Sequence, residues 1–154
     1  MSEIYSPDGF VLKKGSFDGL ISGGMVNQVC GLITNQEGKM LIVFHKRGQW
    51  ILPGGMLEVG ETFIECLKRE CVEEANVTLV EDSIKEAFYQ EYWANGIMES
   101  IHIRYAAKLD KDMGFVIDPD KSIIENRWID IDEIGDYLKW GDNVKWVQEG
   151  AKLN

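Results

Sequence analysis

The stretch Trp50–Val77, WILPGGMLEVGETFIECLKRECVEEANV, decides the reading of this chain. Its second half is predicted to form one helix. Thr62 and Glu65 have the spacing of a capping box, in which the threonine hydroxyl and the glutamate carboxylate each satisfy a free backbone N–H at the helix start. Phe63, Leu67 and Cys71 recur every four residues and, with Ile64 and Ala75, form an apolar face. The pattern stops at Asn76, and asparagine is the commonest non-glycine residue in the left-handed conformation that ends many helices.

The far end of this helix carries an electrostatic conflict. Glu70, Glu73 and Glu74 crowd its last two turns, where the backbone dipole is negative and disfavours anions. Glu70 also faces Glu73 at i+3 and Glu74 at i+4, so like charges repel. At about 100° per residue the three carboxylates share an arc of roughly 100° beside the apolar face. Helix stability alone favours lysine at such positions. A divalent cation resolves the conflict, because hard cations take their oxygen ligands from grouped carboxylates.

Gly55, Glu61, Arg69, Glu70, Glu73 and Glu74 stand at the spacing of the Nudix box, and the segment Gly55–Val77 resembles that motif throughout. The preceding Trp50–Gly54 resembles the family's usual lead-in. Asn76 replaces the motif's final glycine, a change the left-handed cap tolerates. Cys71 replaces a larger aliphatic residue, and a buried thiol acts as a small hydrophobe. No carboxylate of the motif is lost.

The resemblance implies an α/β fold, an α/β/α sandwich over a mixed β-sheet. It also implies a hydrolase that cleaves a nucleoside diphosphate linked to another moiety, using Mg2+ or Mn2+. Glu70 and Glu74 are then expected as metal ligands, with Glu73 a further direct or water-mediated ligand and the carbonyl of Gly54 completing the shell. Glu70 is the first candidate for general base. Arg69 is expected to pin a carboxylate of the motif by a salt bridge, with Glu61 supporting the metal side and Gly55 allowing close backbone approach. The competing reading is a binding module that senses a nucleotide without cleaving it. Loss of motif carboxylates would favour that reading.

The 154-residue chain has a formal charge of −10 and is nearly half apolar, which fits a single domain over 1–154. The acidic balance argues against broad nucleic-acid or membrane-surface binding, since both need a basic surface. A small phosphorylated partner, a nucleoside diphosphate derivative, is not excluded, because a bound metal reverses the local potential. Whether the chain forms a homodimer is left open. Three cysteines without a CxxC pair point to a reducing compartment, and with no signal-like N-terminus or membrane-length apolar run the expected location is the cytoplasm.

Residues 1–25 read as an arm or hairpin, with a short strand at Phe10–Leu12. Strands are expected at Met25–Thr34 and, buried on both faces, at Met40–His45. Lys85–Trp93 and Ile97–Leu109 form two more, joined by the hairpin signal Asn95-Gly96. Asp110–Ser122 reads as a polar loop and Ile123–Ile129 as a strand. Asp130 or Asp132 is expected to cap a short helix ending near Leu138, and Asp142 a terminal helix.

Substrate-binding candidates lie outside the box. Trp50 and Tyr92 offer aromatic faces for a base, and Tyr92 falls near a tyrosine of the family's diadenosine-polyphosphate hydrolases. Arg47 and Arg104 are each read either as phosphate ligands or as surface charges. Glu125 and Glu99 are candidates for an acid recruited from outside the box. His45 and His102 are read as structural.

Overall fold

A computed structural model of the chain describes residues 2–3, 9–21 and 25–154. In chain order the elements are β1 (Ser2–Glu3), β2 (Gly9–Lys13), α1 (Asp18–Ile21), β3 (Val26–Thr34), β4 (Met40–His45), β5 (Gln49–Ile51), β6 (Gly54–Met56), α2 (Phe63–Ala75), β7 (Val77–Leu79), β8 (Lys85–Ala94), β9 (Ile97–Asp112), β10 (Ile123–Ile129) and α3 (Val144–Ala151). Short 3-10 turns occupy Glu81–Ser83, Ile131–Asp136 and Gly141–Asn143.

The main sheet runs β1-β2-β8-β9-β3-β4-β10. β3 and β9 pair in parallel, Cys30 beside Arg104, while the other described pairings are antiparallel. The sheet is therefore mixed, as expected. Its two faces bury separate cores. Val29, Ile33, Leu41, Val43, Ile103 and Tyr105 pack under α2, with Phe63, Cys66, Leu67, Cys71 and Ala75 from the helix. Leu12, Leu32, Met40, Ile42, Phe88 and Ala106 pack on the other side with Trp146, Val147 and Ala151 of α3. Met40, Leu41, Ile42 and Val43 alternate between these cores, which is why β4 reads as an unbroken apolar run. The layers form an α/β/α sandwich.

Both ends of α2 are set locally. The Thr62 hydroxyl accepts from the Glu65 N–H at 3.1 Å, and the Glu65 carboxylate accepts from the Thr62 N–H at 2.8 Å. Asn76 ends the helix with φ 56° and ψ 43°, and its side chain donates to the Gly114 carbonyl at 2.9 Å. Asn95 and Gly96 take φ 54° and 75°, the positive values a two-residue hairpin turn requires.

Three expectations change. Asp110–Asp112 is not loop: β9 continues through it and pairs with β7, Val77 opposite Asp112 and Thr78 opposite Lys111. A partner strand supplies there the backbone bonds that the polar composition does not announce. The helix expected before Leu138 is a 3-10 turn, and Asp130 at its start makes no side-chain cap bond. Asp142 does not cap α3 either; it lies inside the 3-10 turn, and Asn143 stands at the cap without a side-chain bond. In the N-terminal part, the strand expected at Phe10–Leu12 is β2, paired with β8 and β1. Residues 1, 4–8 and 22–24 of the expected arm lie outside the described residues.

Candidate active site

The candidate site is built where β6 replaces β4 as the neighbour of β3. Gly54 pairs with Cys30, and Gly55 with Val29. Gly54 has φ 149°, and a Cβ there would lie 2.2 Å from the Val29 carbonyl oxygen, so only glycine fits. This brings the 54–56 backbone against the acidic end of α2. The Gly54 N–H donates to Glu74 Oε1 at 2.7 Å. A Cβ on Gly55 would stand 2.5 Å from the Glu70 carboxylate, so the missing side chain is the space that carboxylate occupies.

Arg69 organises the rest. Its Nε donates to Glu61 Oε2 at 2.6 Å and its Nη2 to Glu61 Oε1 at 3.1 Å, a two-pronged pair. Nη1 donates to Glu70 Oε1 at 2.8 Å and to Glu73 Oε2 at 3.3 Å, and Nη2 also reaches the Met56 carbonyl at 3.1 Å. Arg69 thus hydrogen-bonds three carboxylates where one was expected, and a fourth, Glu58 Oε1, stands 3.7 Å from Nη1. The hydrogen bonds from Arg69 hold the Glu61 carboxyl down to about 2. Burial acts the other way on the helix. It pushes Glu74 up to about 8 despite the Gly54 N–H, with Glu70 and Glu73 adding repulsion. Burial also raises Glu70, opposed by Arg69.

Each of the three helix carboxylates commits only one oxygen. Glu70 Oε1 and Glu73 Oε2 go to Arg69, and Glu74 Oε1 goes to Gly54. Glu70 Oε2, Glu73 Oε1 and Glu74 Oε2 accept no hydrogen bond from the described residues. As they stand, no three acidic, histidine or cysteine side chains among the described residues enclose an ion. The donors themselves suit one: three hard oxygens left over on one helix end, two of them on carboxylates, Glu70 and Glu74, that burial raises.

The substrate candidates divide into two groups. Arg47 is exposed in the β4–β5 turn, where its N–H donates to His45 Nδ1 at 3.1 Å. Trp50 packs on Phe44 and Tyr137, with ring centroids 4.9 and 5.5 Å away. The Arg127 guanidinium lies 4.8 Å over the Trp50 ring and bonds Glu125 at 3.0 Å. Trp50 and Glu125 therefore share the β4–β5–β10 corner, and no described contact joins them or Arg47 to the carboxylates. Glu99 is exposed on β9.

Tyr92 and Arg104 belong elsewhere, on the sheet face opposite α2. Tyr92 packs tilted against His102 and Phe10, with ring centroids 4.4 and 5.9 Å away. Burial, then the nearby Arg104 charge, lowers His102 to about 4, so its ring is neutral at pH 7. Arg104 is not a surface charge. It is 4 % exposed, and its Nη2 donates to the side-chain oxygen of Gln90, itself 2 % exposed. Sequence reading missed Gln90 and Trp140, whose ring lies 5.8 Å from the Arg104 guanidinium. A period-two signal for Gln90 was present: it shares a strand face with Phe88, so a polar side chain there enters an apolar layer.

The structure is thus a mixed-sheet sandwich in which one acidic helix end meets a gap made by two glycines. The NUDIX domain family matches residues 25–149, and the chain belongs to that family of hydrolases acting on pyrophosphate bonds. Members generally use divalent metal ions. The chain is 27% identical over 115 residues to the "Oxidized purine nucleoside triphosphate hydrolase" of Danio rerio, covering 72% of this chain and 70% of that protein. A NUDIX hydrolase from Nitrosomonas europaea shares its fold with a TM-score of 0.59 at 24% identity, covering 81% of this chain and 87% of that one. The MutT NUDIX hydrolase from Burkholderia pseudomallei matches at a TM-score of 0.60 and 22% identity, over 81% and 96% of the two chains. No helix among the described residues is long and apolar enough to cross a membrane.

Proposed function

We propose that this chain is a Mg2+- or Mn2+-dependent pyrophosphohydrolase that cleaves a nucleoside diphosphate linked to another moiety by water attack at phosphorus. The uncommitted oxygens of Glu70, Glu73 and Glu74, one on each carboxylate at the same helix end, carry the reading. These three side chains, with the Gly54 carbonyl, would hold the metal. A bound divalent ion supplies charge neutralisation at the phosphoryl oxygens and a more acidic water.

The chain's own residues do the remaining work. Glu70 is the proposed general base, since its second oxygen accepts no hydrogen bond from the described residues and is left to take a proton from water. Arg69 holds Glu70 and Glu73 in place. Glu61 anchors Arg69. Gly55 leaves the room that Glu70 needs. Three free, buried cysteines support a reducing, cytoplasmic setting.

The test is hydrolysis of a panel of nucleoside triphosphates, nucleotide sugars and dinucleotides, with magnesium and then with chelator. The name of the Danio rerio relative puts oxidised purine triphosphates first on that panel. Metal-dependent release of a nucleoside monophosphate is expected from at least one class. Nucleotide binding with no product from any of them would favour the sensing module instead.

A further inference from the structure

Outside the carboxylate cluster, Arg104 is a buried charged side chain that its neighbours among the described residues satisfy only in part. Arg104 lies on the central strand β9, 4 % exposed, with a cation that no carboxylate among the described residues pairs. Its partners are neutral: the Gln90 side-chain oxygen, the Ile103 carbonyl at 3.4 Å and the face of Trp140. Its Nε–H has no hydrogen-bond partner at all among the described residues. A buried, unpaired charge with an orphaned donor is costly, and native proteins keep few of them without a use.

Its place in the fold suggests the use. Arg104, Cys30 and Gly54 lie level on three neighbouring strands, β9, β3 and β6. At about 4.8 Å per strand, the Arg104 backbone is roughly 10 Å from that of Gly54, which touches Glu74. The Cys30 thiol between them is raised by burial and feels Arg104 on one side, Glu74 and Glu70 on the other. Along the same face the layer is fully buried at Phe88 and Ala106 but half-buried at Tyr92, His102 and Gln28. Beyond Arg104 the sheet face therefore opens toward solvent, lined by Tyr92 and the neutral His102.

We propose that Arg104, held by Gln90, is the substrate's second anchor: it binds an anionic phosphate oxygen on the side of the diphosphate away from the carboxylates. A guanidinium with a spare N–H matches a phosphoryl oxygen, and the burial strengthens the bond by excluding water. The neutral Gln90 carbonyl orients the fork without cancelling its charge. Trp140 covers the guanidinium in the free protein, and an anion enters past its half-buried ring. The proposal rests on the hydrolase reading only for what carries the phosphate.

The test uses the full chain in chelator, so neither metal nor turnover enters, with inorganic pyrophosphate as the probe and binding followed by phosphorus NMR. Wild type should bind, and Arg104→Met should weaken binding at least about tenfold. Arg104→Met should melt no lower than wild type, because an apolar stem replaces an unpaired buried charge. Gln90→Met should weaken binding less, by loosening the fork. Glu70→Gln should bind pyrophosphate as well as wild type or better, since it removes a repelling charge. Absence of wild-type binding, or equal binding by a folded Arg104→Met, overturns the proposal. A large fall in melting temperature for Arg104→Met also overturns it, by making the guanidinium a structural brace. Should that variant not fold, Arg104→Lys decides: unchanged affinity overturns the proposal, and a several-fold loss supports it. If wild type binds pyrophosphate through Arg104 yet hydrolyses nothing, the hydrolase reading fails and this one stands.

Discussion

Glu61 and Arg69 close the loop ahead of α2 onto the middle of that helix, the carboxylate meeting the guanidinium edge-on through both its oxygens. A lysine cannot reproduce that fork. In Arg69→Lys the Glu61 carboxyl should titrate well above its wild-type value of about 2, toward the ordinary glutamate range. Glu61 is depressed in the folded state, so its contribution to stability is full above about pH 4.5 and is lost as pH falls toward 2. Wild type should therefore lose more stability than Arg69→Lys across that acid window. Equal losses in acid melting curves would reduce the pair to an ordinary surface bridge.

Gly55→Ala tests whether the gap beside Glu70 is used. The Gly55 backbone is not among the positive-φ positions, so alanine can adopt it. The nearest atoms the new methyl would meet belong to the flexible end of Glu70, at 2.5 Å. The fold should melt within a few degrees of wild type while turnover drops by about tenfold or more, as a displaced ligand or base implies. Wild-type turnover by this variant would detach Glu70 from the chemistry.

Glu70→Gln separates charge from shape. Glutamine keeps an oxygen acceptor for the Arg69 Nη1–H and removes one charge from a half-buried trio. Without metal, its melting temperature should hold or rise. With magnesium at a hundredfold excess over its Kd, wild type should gain about 2.7 kcal/mol, roughly 5–10 °C for a domain of this size. The variant should gain less, and its hydrolysis should fall by orders of magnitude. Identical magnesium shifts for the two proteins would count against Glu70 as a ligand.

Glu74 makes the metal-free protein pH-sensitive in the opposite sense to Glu61. Its carboxyl is raised by burial to about 8, so the folded chain holds a proton that the unfolded chain releases near 4.5. That stabilisation is complete below about pH 4.5 and is lost as pH rises through 8. In chelator, Glu74→Gln should melt progressively higher than wild type as pH climbs across this window. A difference that stays flat with pH would mean that Glu74 is already ionised at neutral pH.

The parts legible in the sequence were those with local causes. The Thr62–Glu65 box, the Asn76 stop and the Asn95-Gly96 turn each act within a few residues, and each is found where it was read. The carboxylates of α2 were legible because helix spacing alone puts them together. What was not legible depends on remote partners. β5, β6 and β7 are three residues long, too short for any periodicity, and exist because β4, β3 and β9 offer them a ladder. The choice between phosphate ligand and surface charge stays open for Arg104 in the sequence, because strand alternation says which face it takes, not that the face is covered. Asp142 looked like a cap because its type is right, but the chain is already turning when it arrives.

The parallel pairing of β3 with β9 also has a kinetic consequence. Gly54, Gly55, Arg69, Glu70 and Glu74 lie close in the sequence, so their side of the cleft can assemble once α2 and its leading loop meet. The level of Cys30 and Arg104 forms only when Val26–Thr34 finds Ile101–Lys108 across the intervening chain, and such long closures come late. The acidic half of the cleft should thus acquire its shape before the basic half. In a refolding experiment, manganese binding would precede the capacity to bind pyrophosphate.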